Sequence, residues 1–365
     1  MFSDNSKYQA DACRFCWMCR HICPVGQVTG KEGNTPRGKG FIVSMDSRNI
    51  PFNEDAAGVM YECCLCEACS NDCVTGYEPP VFIREARTLA AVNGYVPKQI
   101  QKVIDAATKG SLYDAEPNKE LITAIEKLPR KADTLLYIGD VAAHQNAQSA
   151  MDLMSVLEAA KVEFTALVQE PSTGSHLADL IGYVDDVRQV AKACVEEIMK
   201  TGAKTLVVMD PSDARFIKQQ WGEWGLLEDV KTVTATSFVA SLVESGALKL
   251  KQLSYKDVTF HDPCRLARGL DETEVARDLI KAMGISLQEM FLNRKLARCC
   301  SGAVLRENHP EISSDIADKR WEDAAEVGAK TIITACPACH YVLGSSKPEE
   351  NGILDIYSLL AQAAL

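Results

Sequence analysis

The sequence predicts a multidomain fold: a cysteine-dense α-helical domain over residues 1–110, then two duplicated α/β lobes over 131–250 and 253–365. Three observations carry this. The cysteines fall into two widely separated groups. After about residue 130, short apolar runs alternate with longer helical patterns. A stretch near residue 202 recurs near residue 328.

A chain of 365 residues fits two or three domains. Apolar residues make up 47% and charged residues 24%, a globular composition with material for real cores. The net charge of −11 argues against nucleic-acid binding and against a polybasic membrane surface. No run approaches the roughly 20 apolar residues that span a bilayer. Residues 1–7 (MFSDNSK) lack an apolar signal core. The expected location is cytoplasmic, with any membrane contact made through a partner.

The first unit holds helix-compatible stretches such as Val81–Val92. A polar stretch, Lys109–Pro129, follows as a linker with a short helix. Beyond it, Thr134–Ile138 stops at Gly139-Asp140, and Thr205–Met209 stops at Asp210-Pro211. Val258–Phe260 leads into His261-Asp-Pro-Cys264, and Thr331–Thr334 leads into Cys336-Pro337. Helical patterns such as Ala147–Ala160 and Thr273–Met283 lie between. Strands alternating with helices predict largely parallel sheets, whose ligands sit at strand carboxyl ends. The Asp and Cys residues fall there.

The repeat pairs 202–214 (GAKTLVVMDPSDA) with 328–340 (GAKTIITACPACH) at an offset of 126. Asp210 then matches Cys336, and Asp213 matches Cys339. Glu170–Gly174 falls roughly where Cys299–Gly302 falls. The second lobe keeps its cysteines, and the first has none at the matching positions.

Of the 15 cysteines, nine lie between residues 13 and 73, one at 194 and five between 264 and 339. An odd count in a chain without a signal core favours metal ligation over disulfides. Cys13-x-x-Cys16-x-x-Cys19-x-x-x-Cys23-Pro24 is one motif, and Cys63-x-x-Cys66-x-x-Cys69-x-x-x-Cys73 the second. Three thiols two residues apart converge from one tight loop, and the fourth reaches the other cluster. This predicts two [4Fe–4S] clusters with crossed ligation. Cluster I takes Cys13, Cys16, Cys19 and Cys73, and cluster II takes Cys63, Cys66, Cys69 and Cys23. Structural zinc would need only four cysteines and leaves the second run unexplained.

The long spacing between Cys23 and Cys63 resembles the helical ferredoxin domains of heterodisulfide-reductase and succinate-dehydrogenase iron–sulfur subunits. Thr35-Pro-Arg-Gly-Lys39 resembles a segment of glycolate-oxidase-type iron–sulfur subunits. Two readings stand for it: basic residues near a cluster or a partner's acidic face, or a solvated turn. Cys64 reads as a packed thiol rather than a ligand, and Cys194 as a small buried hydrophobe.

Cys264, Cys299-Cys300 and Cys336-Pro-Ala-Cys339 come from three strand-end loops. The pattern resembles the cysteine-rich CCG domain of heterodisulfide reductases and of glycolate, lactate and anaerobic glycerol-3-phosphate dehydrogenase iron–sulfur subunits. His261-Asp-Pro-Cys264 is similar to the heterodisulfide reductase D-type subunits. The resemblance implies that Cys264, Cys299, Cys300, Cys336 and Cys339 hold a third [4Fe–4S] cluster, noncubane in that reductase, with zinc as the alternative. Ser301 stands where the family has Gly directly after the cysteine pair. His261 and His340 read either as hydrogen-bond donors to a cluster sulfur or as ordinary packing histidines. Arg265, Arg268 and Arg298 either balance thiolate charge or are solvated.

No G-x-G-x-x-G opens a helix after a strand, so the chain shows no nucleotide-cofactor site of its own. The resemblance implies a non-catalytic electron-transfer subunit that links a flavoprotein, of the FAD-linked 2-hydroxyacid dehydrogenase type, to an acceptor. A further electron-transfer or membrane subunit is a second partner it allows. The alternative is a catalytic heterodisulfide or quinone reductase working at the C-terminal cluster. The absence of cysteines from the first lobe counts against that alternative. A zinc-bound docking scaffold is a third reading, and the N-terminal cysteine runs count against it.

Overall fold

The computed structural model describes residues 1–365. The first 110 residues form only helices. Local chemistry sets their ends. Thr35 caps helix Pro36–Asp46 by accepting the Gly38 N–H at 3.0 Å, and Pro36 occupies the first turn. Asn53 caps Glu54–Tyr61, whose first turn carries Glu54 and Asp55 against the positive helix end. Helix Pro79–Asn93 closes on Gly94 at φ 71°. These helices bury Phe2, Val43, Met60, Tyr77, Phe82 and Ile83 among themselves.

Two parallel sheets follow. The first contains β1 (Thr134–Tyr137), β2 (Phe164–Ala166), β3 (Thr205–Val208) and β4 (Lys231–Thr234), in the order β2-β1-β3-β4. The second contains β5 (Val258–His261), β6 (Thr331–Thr334) and β7 (Gly352–Asp355), in the order β5-β6-β7. Thr134 pairs with Thr205 in the first, and Val258 with Thr331 in the second.

Both faces of each sheet are covered, as parallel sheets require. Alternate residues go to opposite cores. Leu135, Tyr137, Leu206, Val208 and Ile332 enter one, while Leu136, Val207, Phe260 and Ile333 enter the other. The first of these cores is shared. It joins Tyr61, Ala90 and Ile100 of the helical domain to Leu177 and Trp221, and on to Trp321 and Cys339. The cysteine-bearing loops therefore meet where all three segments pack. No helix is long and apolar enough to cross a membrane.

Candidate metal centre

The two N-terminal cysteine runs fold alike. Phe15 and Leu65 both take left-handed conformations, at φ 55° and 48°, as do Trp17 and Glu67, at 69° and 63°. Left-handed backbone is strained for residues with a Cβ, by about 1–3 kcal/mol each, and such strain gathers at functional loops. Its effect is visible here. The Phe15 N–H donates to Cys13 Sγ and the Leu65 N–H to Cys63 Sγ, each at 3.4 Å. The loops turn their amides inward onto sulfur, the arrangement that tunes a thiolate-bound cluster.

The thiols gather in two groups. Burial pushes the Cys19 thiol up to about 11, and Cys13, Cys16 and Cys73 push it the same way. Burial takes Cys23 up to about 12, with Cys63 and Cys66 adding to the rise. Cys69 is raised by burial first and then by Cys66, Cys63 and Cys23. One cavity is walled by Cys23, Cys63, Cys66 and Cys69, with Lys39 beside them. Cys73 thus lies near Cys13, Cys16 and Cys19, and Cys23 near Cys63, Cys66 and Cys69. Partly buried thiols crowded this closely favour a bound cation, which reverses the cost of ionising them.

Thr35–Lys39 is a helix start, not a solvated turn. Lys39 is 1% exposed and donates from Nζ to Val59 O at 2.6 Å. Arg37 lies 3.5 Å from the Trp17 ring centroid and pairs with Glu32.

The five C-terminal cysteines also converge, at the carboxyl ends of β5 and β6. Cys299 Sγ lies 3.8 Å from Cys264 Sγ, and Cys300 Sγ lies 3.3 Å from Cys339 Sγ. Cys336 caps helix Pro337–Ser345, its sulfur accepting the Cys339 N–H at 3.4 Å. Contact with Cys299 and then burial raise Cys264, whereas contacts from Cys299 and Cys339 pull Cys300 down. Ser301 sits at φ 95°, which explains why a glycine suits this position, and its hydroxyl bonds Ser313 at 2.6 Å.

Cys64 is half-buried and packs against Val25, Leu305 and Ile316, not in the helical domain's own core. Its thiol faces Cys299. Cys66 faces Cys299 as well. Residues Cys63, Cys64 and Leu65 line both the cavity at Cys23–Cys69 and the cavity at Cys264–Cys339. One tripeptide is the wall between the two sites. The sequence carried one sign of this, an extra cysteine directly after a ligand position.

Buried arginines lock the wall. Arg87 donates to Met60 O at 3.2 Å, to Cys63 O at 2.7 Å and to Asp179 O. Arg268 donates to Cys66 O at 2.7 Å and to Ala297 O at 2.8 Å. Arg265 pairs with Asp179, Arg215 with Glu67 and Arg298 with Asp323. Arg265, Arg268 and Arg298 are therefore held rather than solvated. His261 is fully buried and His340 half-buried, and neither is among the cavity-wall residues. Cys194 is buried in the shared core, as expected of a small hydrophobe.

The first sheet's strand ends carry oxygen instead of sulfur. Asp210 caps helix Pro211–Phe216, and Asp213 accepts the Ser175 hydroxyl at 2.6 Å and also that of Thr173. Glu170 accepts the Ile138 N–H at 2.8 Å and the Gly139 N–H at 2.6 Å, and burial raises it to about 8.

Residues 258–344 match the CCG family, described as "Cysteine-rich domain". The chain is 25% identical over 388 residues to the D-type subunit of the dihydromethanophenazine:CoB–CoM heterodisulfide reductase of Methanosarcina barkeri, covering 97% of this chain and 94% of that one. The chain is thus similar to the heterodisulfide reductase D-like subunits. The cysteine-rich domain and this likeness support an iron–sulfur oxidoreductase subunit. It is also 26% identical to a probable membrane-anchored ferredoxin of Chromohalobacter salexigens, over 99% of this chain but 61% of that relative's length. A hypothetical protein of Helicobacter pylori shares the fold at a TM-score of 0.59 and 12% identity, over 99% of this chain and 73% of that one.

Proposed function

We propose that this chain is an electron relay between a flavoprotein dehydrogenase, of the FAD-linked 2-hydroxyacid type, and an acceptor. In this reading Cys13, Cys16, Cys19 and Cys73 hold cluster I, and Cys63, Cys66, Cys69 and Cys23 hold cluster II. Cys264, Cys299, Cys300, Cys336 and Cys339 hold a third [4Fe–4S] centre. When bound, the clusters supply one-electron carriers.

The observation that carries the reading is the shared wall. Residues 63–65 leave nothing but one tripeptide between two nests of thiols, and Cys64 and Cys66 both face Cys299. The buried arginines fix the separation and reduce the cost of gathering negative sulfur. The entry side lies at Cys13–Cys19. Cys16 is exposed, and Phe15, Trp17, Met18 and Val74 stand 58%, 41%, 53% and 95% exposed beside the cysteines. Such an apolar rim suits a docking flavoprotein.

Residues 131–250 read as a degenerate copy of 253–365. The β1-β3-β4 order parallels β5-β6-β7, and Asp210 and Cys336, 126 residues apart, both cap the helix after their strand. With carboxylates at the ligand positions, the first copy serves as scaffold, its Asp179 tying Arg265 in place.

Anaerobic copurification tests the relay. A flavin-containing subunit should accompany the wild-type chain, and a Phe15→Ser/Val74→Ser variant should keep its iron but lose the subunit. The likeness to the Methanosarcina protein favours a second reading, reduction of a heterodisulfide or quinone at the C-terminal centre. Turnover of a heterodisulfide by the isolated chain would put that reading first.

A further inference from the structure

His261 ends β5, three residues before Cys264, and is fully buried. Its Nδ1 lies 3.1 Å from Nε of Arg320. A guanidinium has donors and no acceptor, so Nδ1 must present its lone pair. A neutral imidazole that accepts at Nδ1 carries its hydrogen on Nε2. That nitrogen is buried and has no protein partner. A ring nitrogen of His261 and the sulfurs of Cys300 and Cys339 lie within 4.8 Å of one another.

We propose that His261 is a hydrogen-bond donor to the sulfur of the C-terminal centre and not one of its ligands, held in that tautomer by Arg320. The group it serves is a thiolate or sulfide of an iron–sulfur centre, so the inference rests on the third cluster of the preceding section. A metal bound at Nε2 would need the hydrogen on Nδ1, pointing at the Arg320 N–H. The arginine forbids this. Arg320 is itself fixed, donating from the same guanidinium to Leu292 O at 3.1 Å and Asp323 at 3.0 Å. The Thr334 hydroxyl donates to the His261 carbonyl and holds the strand end. A donated hydrogen bond stabilises the more negative, reduced state and raises the potential.

The test is an EPR-monitored redox titration of anaerobic full-length protein, with iron analysis, on wild type, H261L and H261Q. His261→Leu should keep the wild-type iron. It should also lower the C-terminal potential enough to shift the electron's partition on the order of tenfold, about 59 mV for one electron. His261→Gln, which keeps an N–H near the Nε2 position, should recover part of the shift. An unchanged potential in H261L would overturn the proposal, and so would loss of about four irons in both variants. Pulsed EPR of wild-type protein labelled with ¹⁵N-histidine does not depend on variant folding. A weak nitrogen coupling is expected; a strong, directly bonded coupling or none at all would overturn it. A wild-type chain with no third iron centre would remove the underlying reading first, and this would be seen before any variant is compared.

Discussion

Arg277 grips Asp262 with two hydrogen bonds, Nη1 to Oδ1 at 2.6 Å and Nη2 to Oδ2 at 2.9 Å. Asp262 lies between His261 and Cys264 and also accepts the Arg294 N–H at 2.8 Å. Both side chains are nearly fully buried. Removing one partner of a buried pair strands the other charge, at a cost of about 3–5 kcal/mol. Arg277→Met should lose that much in chemical denaturation. A loss below about 1 kcal/mol would mean that the pair does not organise the loop.

Gly40 sits under Tyr77. A Cβ there would lie 2.2 Å from the Tyr77 hydroxyl, which donates to Pro36 O at 2.6 Å. Gly40→Ala should destabilise the helical domain by about 1–3 kcal/mol through overpacking. Tyr77→Phe removes the clashing oxygen, so the double variant should lose less than the two single losses added. Additive losses in thermal unfolding would count against this packing.

Lys39 places a buried charge beside Cys23 and Cys63. Such a charge favours the reduced, more negative state of whatever these thiols hold. Lys39→Met should lower the potential of cluster II by an amount on the order of tens of millivolts. Cluster I should move much less. Equal shifts of both signals in an EPR titration would contradict the assignment of Lys39 to one site.

Asp355 caps the last helix, accepting the Tyr357 N–H at 2.8 Å, and burial raises it to about 7. A raised folded-state pKa means that the native chain holds the proton more tightly than the unfolded chain. This contribution is complete below about pH 4 and is lost as pH rises toward 7, at up to about 1.4 kcal/mol per pH unit. Asp355→Asn should lack that slope and surpass wild type at pH 8. Denaturation curves whose difference stays constant from pH 5 to pH 8 would show that this carboxyl does not titrate there.

Legibility followed locality. The cysteine runs were readable because ligand spacing is a short-range constraint, and the structure gathers the same thiols. The strands at 134, 205, 258 and 331 were readable because each is an apolar run ending in Asp or Cys. The strands β2, β4 and β7 were not. Phe164–Ala166 is three residues long, Lys231–Thr234 starts with an exposed lysine, and Gly352–Asp355 opens on glycine. Pairing to a neighbour makes these strands, and no local pattern records it. Cys64 was readable as a packed thiol but not as facing Cys299, 235 positions away. The Arg87, Arg265 and Arg268 tethers are equally nonlocal. His261 looked equivalent to His340 until Arg320 distinguished them.

In the proposed reading, thirteen cysteines hold three iron–sulfur centres. Metal analysis of anaerobically purified protein tests it most directly. About twelve irons per chain and no zinc are expected, falling to about eight in Cys299→Ala with the cluster I and II EPR signals intact. About eight irons and one zinc in the wild-type chain would contradict it.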